Sequence, residues 1–86
     1  MKITALQAIV AAIEEGSLRS AARRIGTSQP ALTKLVRELE IELAAPLLQR
    51  HSKGVMATAQ GQVLFEHAQK VLGELATATE LIQQMD

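Results

Sequence analysis

The sequence predicts a mainly α-helical fold, with three helices in quick succession, a small β-hairpin and one long terminal helix. Three observations point there. The hydrophobic content is 48%, yet it leans on alanine and leucine with Phe65 as the single aromatic residue, a composition that favours helices over sheets. Through the first half, apolar residues recur at i, i+3, i+4 and i+7, as on one face of a helix. From Ala59 to Met85 the chain has no proline, and its apolar residues alternate spacings of four and three, the rhythm of a helix that pairs with another.

Leu6, Ile9, Val10 and Ile13 form the stripe of a first helix, which Gly16 stops, and Ser17 is placed to cap the next. Leu18, Ala21, Ala22 and Ile25 repeat the spacing over a short second helix. Gly26 ends it, because the residue just past a helix often takes a positive φ that glycine adopts freely. In the stretch TSQPALTKLVRELE, Ser28 is a good N-cap. Pro30 falls in the first turn, where its missing N–H is not needed and its fixed φ suits a helix. The third helix, residues 28–43, carries the core stripe Leu32, Leu35, Val36, Leu39 and Leu43. At about 100° per residue, Pro30, Thr33, Lys34 and Arg37 then fall on the opposite side, with Ile41 pointing roughly the same way.

Pro46 closes the third helix region. From Leu47 to Thr58, apolar Leu48, Val55 and Ala57 flank a Ser-Lys-Gly centre in which Gly54 suits a tight turn, and the segment reads as a short hairpin. Thr58 is a further N-cap. The helix that follows spans about 40 Å at about 1.5 Å per residue, more than so small a core can cover. Its seam is Leu64, Ala68, Val71, Leu75, Ala78, Ile82 and Met85. Val63, Phe65 and Leu72 lie off that seam and are expected to pack on the preceding helices. One reading of the seam is cover for the small domain alone; the other is pairing with a second chain, which the helix length favours.

Composition narrows the function classes. Eighty-six residues make one domain, or a domain with an appendage. The absence of cysteine removes disulfides and thiolate metal sites and leaves the cytoplasm as the default compartment. No apolar run approaches a membrane span, and Glu14 and Glu15 follow the N-terminal apolar run where a signal peptide needs its cleavage site. His51 and His67 have no metal-site spacing, and no nucleophile-and-base set, phosphate loop or carboxylate pair stands out, so neither a cofactor nor an enzymatic activity is expected. Net charge is zero but segregated. Residues 19–53 hold Arg19, Arg23, Arg24, Lys34, Arg37, Arg50 and Lys53 against Glu38, Glu40 and Glu42, a net of +4, whereas residues 54–86 carry −3. A basic middle is the footprint of an anionic partner.

The order helix, short helix, longer helix, hairpin, long helix is that of a winged helix-turn-helix followed by a linker helix. Residues Glu14–Ala68 resemble the N-terminal domain of LysR-type transcriptional regulators. The resemblance rests on GS-x-x-x-AA at Gly16–Ala22, SQPAL-T at Ser28–Thr33, LE-x-EL at Leu39–Leu43, PLL-x-R at Pro46–Arg50 and T-x-x-G at Thr58–Gly61. It implies a DNA-binding domain at 1–58 and a dimerising linker helix at 59–86. It further implies a homodimer on dyad-symmetric double-stranded operator DNA in a bacterial cytoplasm, nucleoid-associated when bound. Higher oligomers and a small-molecule inducer are implied for whole proteins, whose effector-binding domain is absent from this sequence. The sequence departs from the family at Leu48, where phenylalanine is frequent, at Lys34 and Lys53, where arginine is, and at Ile41, where an acid is common.

On this reading Gln29, Pro30, Thr33 and Lys34 are the expected base-reading residues. Glutamine can pair bidentately with adenine, and Pro30 and the Thr33 methyl can meet a thymine methyl. Backbone contacts are expected from Arg19, Arg23, Thr27, Ser28, Arg37, Arg50 and Lys53. Thr27 and Ser28 also suit a capping role, and Arg50 suits an ion pair as readily as DNA. At least one of Arg19, Arg23 and Arg24 is expected to be only a solubilising charge. The acids Glu38, Glu40 and Glu42 are expected to support the third helix and repel DNA where it leaves the groove. The alternative class is a helical protein-interaction module with no DNA contact.

Overall fold

The computed structural model describes residues 1–85 and contains α1 (Ile3–Glu15), α2 (Leu18–Ile25), α3 (Gln29–Leu43), β1 (Leu48–His51), β2 (Gly54–Ala57) and α4 (Ala59–Gln83). Asp86, the last residue of the expected linker segment, lies outside the described residues. The strands pair antiparallel, Leu48 opposite Ala57 and His51 opposite Gly54.

α1 is the centre of the fold. Ala5, Leu6, Ala8, Ile9, Val10, Ala11 and Ala12 are all buried, and α2, α3, α4 and β2 pack around them. This is more than the single stripe expected from the sequence. The four alanines are small enough to admit neighbouring backbones on several sides, so the helix is wrapped rather than faced; Ile13, at the end of the expected stripe, is only half-buried. Ile9, Leu32, Leu39 and Leu47 are the largest fully enclosed side chains.

The caps follow the sequence closely. Ser17 Oγ accepts from the Ser20 N–H at 3.1 Å, and Ser28 Oγ accepts from the Ala31 N–H at 3.2 Å. Thr27 differs from expectation: its backbone N–H donates to the Ala22 carbonyl and closes α2, while the cap of α3 is the Ser28 side chain. Leu43 also differs. The expected last core residue of α3 is exposed, because the helix ends there and the chain turns away. The ending is a Schellman motif, in which Ala44 N–H donates to the Ile41 carbonyl and Ala45 N–H to the Glu40 carbonyl. Ala44 occupies the left-handed position at φ 52°, where a Cβ costs about 1–2 kcal/mol. Ala44→Gly is therefore expected to raise stability by about 1 kcal/mol, seen as a melting temperature roughly 4–8 °C higher. An unchanged or lower melting temperature would count against strain at this position.

Glycine in the hairpin serves a different purpose from the one expected. The turn itself is Ser52–Lys53, and Gly54 is the first residue of β2. At φ 146°, a Cβ on Gly54 would lie 2.0 Å from the Gly16 carbonyl oxygen. The strand is drawn this close by a hydrogen bond from the Val55 N–H to that same oxygen, at 3.0 Å. The hairpin is thus tied to the turn between α1 and α2.

A second tie holds α4. Thr58 Oγ1 accepts from the Gly61 N–H at 3.0 Å and donates to the Pro46 carbonyl, while the Thr58 N–H donates to the Leu47 carbonyl at 3.1 Å. The Leu47 N–H in turn donates to Glu40 Oε2 at 2.8 Å. The end of α3, the entry to β1 and the start of α4 form one hydrogen-bonded junction. Along α4, Ala68 is 2% exposed and Leu64, Phe65 and Leu72 are half-buried against the core. Leu64 and Ala68, the first two residues of the expected pairing seam, are therefore occupied within the chain, and Val63 is exposed rather than packed. The reason is direction: α4 leans on α1 through its first turns, then runs on past the domain, giving extents of 50 × 24 × 18 Å. The helix stops at Gln83, so Met85 lies just beyond it.

Candidate nucleic-acid interface

α3 positions the site because its two faces are unequal. Leu32, Val36 and Leu39 are buried, so the opposite face is turned outward. Gln29, Pro30, Lys34, Arg37 and Ile41 are exposed on it, with Thr33 half-buried at its edge. All six border one groove along the outer side of the helix. Ile41 is 80% exposed and stands three turns beyond Pro30, so the face is basic and apolar together.

The flanking cations divide into two groups. Arg24 is committed to the fold: its guanidinium reaches Glu14 at 2.7 Å and Glu15 at 3.3 Å, pinning α2 to α1. The hydrogen bond that it donates to Glu14 is the largest of the influences that raise its pKa above the ordinary guanidinium value. Among Arg19, Arg23 and Arg24 it is the one that pairs with carboxylates among the described residues, a structural use that the sequence did not signal. Lys2 pairs with Glu38 at 3.6 Å and the α-amino group with Glu42 at 3.4 Å. Arg19, Arg23, Lys34, Arg37, Arg50 and Lys53 have no carboxylate within 4 Å among the described residues. Arg50 accordingly has, among the described residues, no ion pair of the kind its sequence position also allowed. The three acids of α3 are each engaged, Glu38 and Glu42 by the N-terminus and Glu40 by the Leu47 N–H. Glu40 thus anchors the backbone at the entry to β1. Its role had no signal in spacing, since the partner is a backbone group seven residues on.

Two clefts join these residues into one surface. Arg19, Gln29, Arg50 and His51 border the first, where the starts of α2 and α3 meet the hairpin. Thr33, Arg37 and Arg50 border the second, between α3 and the hairpin. Gln29, Thr33 and Arg37 also border the outer groove, which makes the whole continuous. Arg23, Thr27, Ser28 and Lys53 stand outside both clefts, Lys53 at the hairpin turn and Arg23 one helical turn along α2 from Arg19. His51 was not among the expected site residues. A lone histidine in a strand carries no pattern, and only the fold brings it to one cleft with Arg19 and Gln29. Among the described residues no group of three or more His, Asp or Glu side chains could hold a metal ion, and no helix is long and apolar enough to cross a membrane.

Residues 3–62 match the family described as bacterial regulatory helix-turn-helix protein, lysR family. The chain is 37% identical over 76 residues to the HTH-type transcriptional regulator TcbR of Pseudomonas sp. (strain P51), covering 88% of this chain and 26% of that protein. It is 33% identical over 84 residues to the HTH-type transcriptional regulator AlsR of Bacillus subtilis (strain 168), covering 98% and 28%. The chain spans about a quarter of the length of these curated relatives. Among solved structures, it superposes on the BenM DNA-binding domain in complex with catB site 1 DNA with a TM-score of 0.91 at 31% identity, over 98% of this chain and 93% of that one. It superposes on full-length CbnR complexed with its target DNA with a TM-score of 0.86 at 30% identity, over 96% and 29%.

Proposed function

Because the chain belongs to the lysR family of bacterial regulatory helix-turn-helix proteins, we propose that it binds operator DNA sequence-specifically and regulates transcription. The observation that carries this reading is the outer face of α3, where Gln29, Pro30, Lys34 and Arg37 are exposed and neither cation has a carboxylate partner among the described residues. Residues 1–58 form the DNA-binding unit. α3 enters the major groove with its N-terminal half, where Gln29, Pro30, Thr33 and Lys34 meet base edges. The hairpin is the wing: Lys53 at its turn and Arg50 on β1 meet the backbone or the minor groove, and Arg19, Arg23, Thr27, Ser28 and Arg37 meet phosphates. Lysine at 34 and 53 keeps charge but not a bidentate fork, so Lys53 suits a phosphate and Lys34 offers its base edge a single point charge rather than a paired contact.

Residues 59–86 form the linker that pairs two copies, from Val71 outward through Leu75, Ala78 and Ile82. The pair presents two α3 helices to successive major grooves of a dyad-symmetric site, with half-sites about 34 Å apart. The compartment is the cytoplasm, at the nucleoid when bound.

Gel shifts against genomic fragments at low and moderate salt test the reading. Affinity is expected to fall with salt along a log–log slope near −0.9 per phosphate neutralised. A chain that never gives a competition-resistant shift is instead a protein-interaction module built on α4. Gln29→Ala is expected to flatten discrimination at one base pair by about 1–3 kcal/mol. Lys53→Ala is expected to weaken operator and random DNA alike and reduce the salt slope by about 1. Equal loss on both DNAs for Gln29→Ala rules out base reading by that residue.

A further inference from the structure

We propose that the cleft between the start of α2, the start of α3 and the hairpin is a seat for one DNA backbone phosphate, and that His51 is one of the groups that hold it. The proposal rests on the DNA-binding reading above and adds a specific site to it. Arg19, Arg50, Gln29 and His51 border this cleft, and no carboxylate does. Neither arginine has an ion-pair partner among the described residues. Two arginines that border one cleft lined by no carboxylate make it a place for an anion, and a phosphodiester is the anion that a DNA-binding face meets.

The cleft is held in shape by the backbone. The Val55 N–H bond to the Gly16 carbonyl, and the close approach that the missing Cβ of Gly54 allows, fix the hairpin against the turn that precedes Arg19. Arg50 and His51 are the two residues of β1 nearest its turn, paired with Val55 and Gly54 at that anchor. His51 is also oriented. Its Nδ1 accepts from the Lys53 N–H at 3.2 Å, so the neutral ring carries its proton on Nε2 and is a hydrogen-bond donor. Gln29 borders both this cleft and the outer groove of α3. A phosphate seated here therefore sets the register in which Gln29 meets the bases.

The test uses the full chain and a duplex recovered by selection from a random-sequence library. If Arg19 and Arg50 share one phosphate, the Arg19→Ala, Arg50→Ala double variant lowers the log–log salt slope by about 0.9 per half-site, because one phosphate is lost. If they touch separate phosphates, each single variant lowers it by about 0.9 and the double by about 1.8, which overturns the shared seat. His51→Asn keeps an acceptor for the Lys53 N–H and removes the far ring donor. It is expected to weaken binding about tenfold, as for a lost hydrogen bond to a charged group. A scan of duplexes carrying one methylphosphonate linkage supplies the site-specific readout. At one position in each half-site, the neutral linkage should abolish the further effect of His51→Asn and of Arg19→Ala. Undiminished effects at every position overturn the proposal. A wild-type chain that gives no specific shift overturns the DNA reading and this seat with it, whereas a normal wild-type shift with additive slopes overturns the seat alone.

Discussion

Gly61→Ala is expected to destabilise the domain by about 3 kcal/mol, lowering the melting temperature by roughly 12–24 °C. The substitution looks harmless by local rules, since alanine is favoured over glycine in a helix by about 1 kcal/mol. At this position the added Cβ would lie 2.0 Å from the Leu47 carbonyl oxygen, 2.9 Å from its carbon and 3.3 Å from its Cα. All three are backbone atoms, and the Leu47 carbonyl is held in place by the Thr58 N–H. Relief requires the start of α4 to separate from the β1 entry, which breaks the Thr58–Pro46–Leu47 junction. Gly73 supplies the internal control. It lies on the same helix with nothing within 4 Å of its added Cβ, so Gly73→Ala is expected to stabilise by about 1 kcal/mol. Thermal melts of the two variants should move in opposite directions. A Gly61→Ala protein that melts with or above the parent would show that the junction yields, and the account of it would fail.

The second large effect concerns the free part of α4. Leu75→Glu with Ile82→Glu is expected to leave a monomer at tens of micromolar, with operator affinity lowered by about 10²–10⁴ through loss of the linked second half-site. Leu75 is 47% and Ile82 67% exposed in the single chain, so the substitutions disturb no core. Beyond Leu72 the helix continues for about three turns in which every described residue is exposed, with Ile3 of α1 beside Glu74 and Leu75 at its start. A helix segment that short has marginal stability alone, which makes a partner the natural source of its order. Light scattering checks the assembly and a gel shift checks the binding. A parent chain that is already monomeric, or a double variant that stays dimeric, refutes pairing through this seam.

The site was legible where chemistry and helix period coincide. Ser28, Pro30 and the leucines of α3 identify a capped helix start and its inner face, so Gln29, Lys34 and Arg37 could be placed outward without coordinates. Arg24 could not be separated from Arg19 and Arg23 in this way, because its partners Glu14 and Glu15 lie on another helix. Glu40 was missed because it holds the Leu47 N–H, and His51 because it shares a cleft with Arg19 and Gln29, and both arrangements exist only once the chain folds back.

The sequence by itself determined the order of elements, the caps at Ser17, Ser28 and Thr58, the inner face of α3 and the basic middle segment, because these depend on residues within about one or two turns of each other. Tertiary structure alone decided which apolar residues were spent inside the chain. Ala68 and Leu43 have the same local periodicity as their neighbours, yet one is buried by α1 and the other left open where α3 ends. It likewise decided that Gly54 and Gly61 are required by contact with distant backbone, at Gly16 and Leu47, rather than by the turns they adjoin. Periodicity reports which face of an element is apolar, whereas burial depends on whether another element arrives to cover it.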